Sequence, residues 1–276
     1  MNVGCIPSKA MITAAHFYHR MMHDGPEMGF QVPSTVKLDF AKLQSWKQSV
    51  TAKMSGGVSQ LLKGNGVTVL MGEATFTSGK TLSVKSKSST TTIEAANFVI
   101  ATGSRPIEIP GFAVDEKDVM TSTGALALSE PVKSLVVIGG GYIGLEIGSY
   151  MAKLGTKVTV VEAGPQLLNG VADPDCVQVV ARRLKKNDIE VLTNAKAKGY
   201  KKNKGSLEIT IDVGGQEKMI QADRILLTVG RKPNSDQMGL KNIGLALDER
   251  GFIKVNAQRK TNLPGIFAIG DIAGQP

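Results

Sequence analysis

Beyond residue 110 the apolar positions fall into short hydrophobic runs separated by longer helix-compatible stretches. Leu135-Val136-Val137-Ile138 reads as a buried strand, 142–154 as a helix and 157–161 as the next strand, a β-α-β series. Residues 174–186 follow as a helix and 189–192 as a strand. Residues 206–213 with 218–221 form a hairpin pattern, and 225–229 is a last buried strand ending at Gly230-Arg231. Ahead of residue 110, 10–22 has helix-compatible composition and Pro7 suits a first helical turn. A second helix is expected over 40–62, then Gly64-Asn65-Gly66 and a strand-like run at 67–71. From there to Thr92 the pattern alternates and is turn-rich, as in a small antiparallel unit. The apolar strand 98–100 stops at Ala101-Thr102-Gly103-Ser104, and the proline-bracketed segment 106–110 reads as an extended linker and a domain boundary. The last apolar runs are 252–255 and 265–269.

Composition changes this picture little. At 276 residues, with 42% hydrophobic and 21% charged positions, the chain suits two domains of ordinary α/β character. No apolar run approaches the roughly 18 residues of a bilayer span, so no membrane partner is expected. The formal net charge of +9 comes from scattered lysines or lysines in expected turns such as 196–204, without interleaved aromatics, so a nucleic-acid partner is not expected either. Two widely separated cysteines, Cys5 and Cys176, argue against a secreted disulfide framework and for a reducing compartment. Cys176 is read as a small packed residue at a helix start. Cys5 is expected just before a helix N-terminus, where the positive end of the helix dipole favours a thiolate. His16, His19 and His23 share a helical spacing, but no cysteine or carboxylate cluster accompanies them, so a packed or solvated face is expected and no metal. The first residues are not expected to act as a signal peptide or an organellar presequence, having neither a basic stretch before a long apolar core nor an Arg-rich, acid-poor pattern.

Gly139-Gly140-Gly141-Tyr142-Ile143-Gly144 has the spacing G-x-G-x-x-G, and its context carries the meaning: it follows an apolar strand and opens a helix. Gly139 permits the tight turn, Gly141 lets the backbone approach a pyrophosphate, and Gly144 lets helix and sheet pack closely. Glu162, at the end of the next strand, is placed to accept hydrogen bonds from ribose hydroxyls. A carboxylate there repels a 2′-phosphate, and Ala163-Gly164 offer no arginine to receive one, which favours NAD over NADP.

With this motif stand Val3 to Lys9 (VGCIPSK), Ala101-Thr102-Gly103-Ser104, Thr123-Gly124-Ala125-Leu126, Gly230-Arg231-Lys232-Pro233 and Ile266-Phe267-Ala268-Ile269-Gly270-Asp271. Together they resemble the FAD-dependent pyridine-nucleotide disulfide oxidoreductases, over essentially the whole chain, and within them most of all the dihydrolipoamide dehydrogenase group. The resemblance implies a Rossmann-like, two-domain FAD/NAD(P)-binding α/β fold whose FAD domain is incomplete. Its parts would be a partial FAD-binding domain at 1–110, an NAD-binding domain at 111–237 and a return segment at 238–276. Electrons would pass from dihydrolipoamide through a redox disulfide and FAD to NAD⁺.

By the same resemblance Cys5 matches the flavin-proximal thiol, and Lys9, paired with Glu146, lies near the flavin. Ala74, Thr102, Gly103, Ser104 and Asp271 match further FAD contacts. Gly139, Gly140, Gly141, Tyr142, Ile143, Gly144, Leu145, Glu146, Glu162, Ala197 and Gly230 match the NAD side. Implied partners are the lipoyl domains of 2-oxo acid dehydrogenase complexes and, in full-length members, a second copy. The implied compartment is the mitochondrial matrix in a eukaryote or the cytoplasm in a bacterium. Three departures are expected from where the motifs fall. The partner thiol of a Cys-x4-Cys motif would precede Met1, an N-terminal FAD glycine loop is missing, and so is a C-terminal interface domain. The chain taken by itself is therefore expected to bind NAD(H) at best, to hold FAD poorly and to be inactive. Two other readings compete: an NAD(P)H-dependent reductase of another disulfide or of a metal ion, as in mercuric reductase, and a non-catalytic nucleotide-binding module.

Overall fold

The computed structural model describes residues 1–203 and 205–274. Along the chain run α1 (Cys5–His23), α2 (Phe40–Gly64), β1 (Glu73–Ser78), β2 (Thr81–Lys85), β3 (Thr90–Glu94), β4 (Phe98–Ile100), β5 (Ser104–Pro106), β6 (Val119–Met120) and α3 (Ser122–Ala127). Then come β7 (Ser134–Ile138), α4 (Tyr142–Lys153), β8 (Lys157–Val161), α5 (Pro174–Lys186) and β9 (Glu190–Leu192). The strands β10 (Ala195–Asn203), β11 (Ser206–Val213), β12 (Gln216–Ala222), β13 (Arg224–Leu227), β14 (Arg231–Pro233) and β15 (Ile266–Ala268) complete the series, followed by a 3-10 turn at Gly270–Ala273.

These elements form two compact units, each made of two stretches of chain. Unit 1 comprises Met1–Leu61 with Glu108–Gly230, and unit 2 comprises Leu62–Ile107 with Arg231–Pro276. The helices before residue 62 thus group with the central stretch of the chain, a different partition from cuts at 110 and 237.

Unit 1 is built around a five-stranded parallel sheet in the order β6-β13-β7-β8-β9. Both faces of that sheet are covered, which is why β7 reads as a continuous apolar run. Leu135 and Val137 point to one face and pack with Met11 and Ala15 of α1, Leu145 and Ile147 of α4, and Leu184 of α5. Val136 and Ile138 alternate to the other face and meet Leu207, Ile209 and Ile211 of β11. The second face is covered by the antiparallel sheet β10-β11-β12. Three layers result: helices, parallel sheet, antiparallel sheet.

Unit 2 holds the meander β1-β2-β3, the parallel pair β15-β4 and the antiparallel pair β14-β5. Its core gathers Phe76, Ile100, Leu240, Leu245, Ile253, Ile266, Ala268 and Ile272.

Four sequence expectations change. Cys176, read as a packed residue, is exposed on the solvent side of α5. The segment 67–71 is not a strand: Val67, Val69, Leu70 and Met71 are exposed, and an apolar run becomes a strand only where a neighbour supplies the ladder hydrogen bonds. The lysine-rich stretch from 196 to 203 is not a turn but most of β10. Ala195, Ala197 and Tyr200 pack toward the core while Lys196, Lys198, Lys201 and Lys202 stay in solvent, as a one-sided antiparallel sheet allows. Position 204, the end of that expected turn, lies outside the described residues. Finally, Cys5 is the first residue of α1 rather than the residue before it, with Gly4 as N-cap. No helix among the described residues is long and apolar enough to cross a membrane.

Candidate functional site

The first turn of α1 carries a thiol, a hydroxyl and an ammonium. Cys5 is exposed and free. Pro7, Ser8, Ala10 and Met11 are buried, so this turn is anchored by packing even though no side chain caps it. The Ser8 Oγ lies 3.3 Å from the Cys5 carbonyl oxygen and 3.4 Å from Glu146 Oε2, as donor to either. Lys9 Nζ donates to both carboxylate oxygens of Glu146, at 2.7 and 2.8 Å. Glu146 reaches this point from the second turn of α4, whose apolar face packs on the sheet through Leu145 and Ile147. One carboxylate thereby joins the thiol-bearing helix to the helix that follows the glycine turn. The Lys9 side chain is 58% exposed and that of Glu146 35%, so the pair stands open to a third group.

The glycine turn between β7 and α4 is fixed from three sides. Gly139 has φ +105°, and a Cβ on it would come within 2.5 Å of the Thr228 carbonyl oxygen. A Cβ on Gly144 would lie 2.5 Å from Thr228 Oγ1 and 2.7 Å from the Gly139 carbonyl oxygen, so α4 meets the sheet more closely than any side chain permits. Thr228 Oγ1 itself donates toward the carbonyls of Ile138 and Gly139, at 3.1 and 3.2 Å. A Cβ on Gly141, by contrast, would meet nothing within 4 Å. Gly141 is the N-cap of α4, and open space before a helix N-terminus is where the backbone can receive a phosphate.

Glu162, expected as a ribose acceptor, has a structural task as well. Its two carboxylate oxygens accept the amides of Gly140 and Gly164, each at 2.6 Å. A carboxylate has further lone pairs, so both backbone contacts leave acceptor capacity for ligand hydroxyls. The loop after β8 closes over the turn, with the Leu168 amide donating to the Gly140 carbonyl at 3.0 Å and Leu167 buried. Tyr142 is exposed at the start of α4, Ile143 is half-buried, Ala197 lies in β10, and Gly230 follows β13.

Of the residues matched to FAD, Lys9 belongs to unit 1 and the other five to unit 2. Within unit 2, Ser104 Oγ donates to Asp271 Oδ2 at 2.7 Å and accepts from Arg231 Nε at 2.7 Å. Asn234 holds the preceding turn, its side chain donating to the Thr102 carbonyl and its amide to the Gly103 carbonyl. Asp271 is more than half exposed, free to accept from a hydroxyl in addition to Ser104. Ala74 sits in β1 opposite Val84. Arg105 pairs with Asp236 and holds that carboxyl below the usual aspartate value, so the β5-β14 corner is tied by charge. Thr228 and Asn234 were not singled out from sequence, and Arg231 only as a member of the Gly-Arg-Lys-Pro motif; Thr228 lies within the apolar run 225–229 and Asn234 directly follows the motif, so only adjacency marked them. Among the described residues no group of three or more His, Cys, Asp or Glu converges as a metal site.

A parallel sheet with a glycine turn at its carboxyl edge, opening a helix, has the form of a dinucleotide-binding domain, and an exposed thiol stands on a neighbouring helix. The sequence model of the pyridine nucleotide-disulphide oxidoreductases matches residues 1–276, and the chain belongs to that family. Among its relatives are curated dihydrolipoyl dehydrogenases from Geobacillus stearothermophilus, 48% identical over 276 residues, and Bacillus subtilis, 47% identical over 277 residues. Both alignments take in 100% of this chain and 58% of the relative, so the chain spans little more than half the length of the curated relatives it matches. The HOCl-induced flavoprotein disulfide reductase RclA from Escherichia coli, solved as a Cu(II) complex, superposes with a TM-score of 0.84 at 26% identity, over 100% of this chain and 57% of that one. LpdA from Mycobacterium tuberculosis, with a TM-score of 0.87 at 24% identity over 99% of this chain and 59% of that one, shares the fold.

Proposed function

We propose that this chain is the thiol-bearing and NAD-binding part of a flavoprotein that oxidises dihydrolipoamide with NAD⁺, giving lipoamide, NADH and a proton. The observation that carries the reading is the Lys9–Glu146 pair one turn from Cys5 on α1. A thiol that exchanges with a dithiol substrate needs a fixed backbone and a nearby charge. The buried first turn of α1 and the Lys9 ammonium supply them. When bound, FAD supplies the two-electron link between the thiol and the nicotinamide. Within unit 2, Ser104 and Asp271 would bind its hydroxyls. The open backbone at Gly141 fits a pyrophosphate, and Glu162 both shapes the turn and binds the adenosine ribose. The names of the similar proteins favour this substrate over another disulfide or a metal ion. With it come lipoyl domains of 2-oxo acid dehydrogenase complexes as partners, a second copy of the whole protein, and a bacterial cytoplasm or a mitochondrial matrix as compartment.

The test uses the protein as purified from its source. Anaerobic addition of dihydrolipoamide should reduce its flavin, and NAD⁺ should reoxidise it in preference to NADP⁺ by at least roughly tenfold, about 1.4 kcal/mol. A flavin that dihydrolipoamide leaves oxidised, or a preference for NADP⁺, overturns the reading.

A further inference from the structure

Three histidines on α1 take no part in the chemistry above. His19 and His23 are separated by four residues, so they stand one above the other on a single helix face. Their ring centroids are 4.2 Å apart and their planes are tilted by 42°. His19 is half-buried and His23 exposed, and among the described residues neither ring has a hydrogen-bond partner. Their ring nitrogens are therefore uncommitted, and both rings open to solvent on the same side of the helix.

We propose that His19 and His23 together bind one divalent transition-metal cation of the imidazole-seeking class, Ni²⁺, Cu²⁺ or Zn²⁺, with water completing its coordination. A metal–imidazole bond is about 2.0–2.1 Å, so two adjacent rings can close on one ion by modest side-chain rotation. The neighbouring charges select the class of cation. Asp24 favours a cation but is shared with Arg20 at 3.3 Å, and Lys153 of α4 faces His19 and opposes one. Oxygen-seeking Mg²⁺ and Ca²⁺, which depend on carboxylate charge, gain nothing here. Metals with high intrinsic affinity for imidazole overcome the lysine. Arg20 stands where the glutamate of an H-E-x-x-H helix would be, so the site binds a metal without supplying a hydrolytic base. Metal held across one turn stabilises the helix that carries Cys5 and Lys9 at its other end.

The test is calorimetric titration of tag-free protein with Ni²⁺ near neutral pH, in a Cys5→Ser, Cys176→Ser background because both thiols are exposed and compete for soft metals. One Ni²⁺ should bind per chain. The affinity should fall by roughly tenfold or more in His19→Gln and in His23→Gln, and stay within about threefold in His16→Gln. The thermal midpoint should rise with Ni²⁺ in the parent and not in the two affected variants. Circular dichroism confirms that helix content is kept; should His19→Gln unfold, the exposed His23→Gln carries the test. No Ni²⁺ binding by the parent, unchanged affinity in the His23 variant, or a loss that follows His16 instead overturns the proposal.

Discussion

Single residues in this protein divide between those that shape the fold and those that leave room for a ligand, and glycine does both within six positions. Gly144→Ala should cost about 1–3 kcal/mol of stability, because its Cβ would press on Thr228 and the Gly139 carbonyl. Gly141→Ala should leave unfolding by urea within about 0.5 kcal/mol of the parent, since nothing lies within 4 Å of the new methyl. It should nevertheless weaken NADH binding, read by fluorescence titration, by about tenfold or more. Equal effects of the two changes on stability would contradict the packing described above. Glu146→Gln removes half of a partly exposed ion pair and should change stability by no more than about 1 kcal/mol. It should also alter the flavin spectrum and slow flavin reduction in the flavin-containing protein; a spectrum and rate identical to the parent's would remove Glu146 from the proposed site. The glycines were legible from spacing because backbone sterics admit few alternatives. Thr228 was not, since a threonine within an apolar run carries no mark of the two carbonyls it faces.

At the scale of elements, the strands of the parallel sheet were visible because each is buried on both faces. Leu226, fully buried at the centre of β13, should cost about 2–5 kcal/mol when changed to Ala, measured from denaturant midpoints. β10 was hidden because its outward lysines imitate a turn, and its inward residues include small alanines that give a weak alternation. The stretch 67–71 misled in the opposite direction, having the side chains of a strand without the neighbour that completes one. The loop into β6 supplies an acid-sensitive joint. Partial desolvation works against ionisation of Asp115, but the amides of Lys117, Val119 and Asp118, all accepted by one of its oxygens, outweigh it and hold the carboxyl below its usual value of 3.8. A group with a depressed folded value stabilises fully above its unfolded value, and that contribution is lost as pH falls through the folded one. Asp115→Asn should therefore flatten the acid limb of the stability profile and leave the neutral limb lower than the parent's. An unchanged acid limb would show that these hydrogen bonds are not coupled to folding.

Over the whole molecule the dominant fact is that each unit is assembled from distant stretches. Ile100 pairs with Ala268 across most of the chain, whereas β7 and β8 are joined by a single helix. Contacts between remote residues form slowly because loop closure must come first. During refolding, amides of β7 and β8 should gain exchange protection before those of β4 and β15; the reverse order would mean that unit 2 does not wait for its second segment. The division into units was not legible from composition, because the proline-bracketed segment near 110 marks only one of the crossings. The double hold of Glu162 on Gly140 and Gly164 bears finally on how such a protein can diversify. A lineage drifting toward a phosphorylated nucleotide cannot simply exchange this carboxylate for a basic side chain, since the same step would release two backbone amides and loosen the turn. Compensating changes in the loop over 163–169 have to come first, so coenzyme preference in this scaffold is inherited together with the shape of a loop.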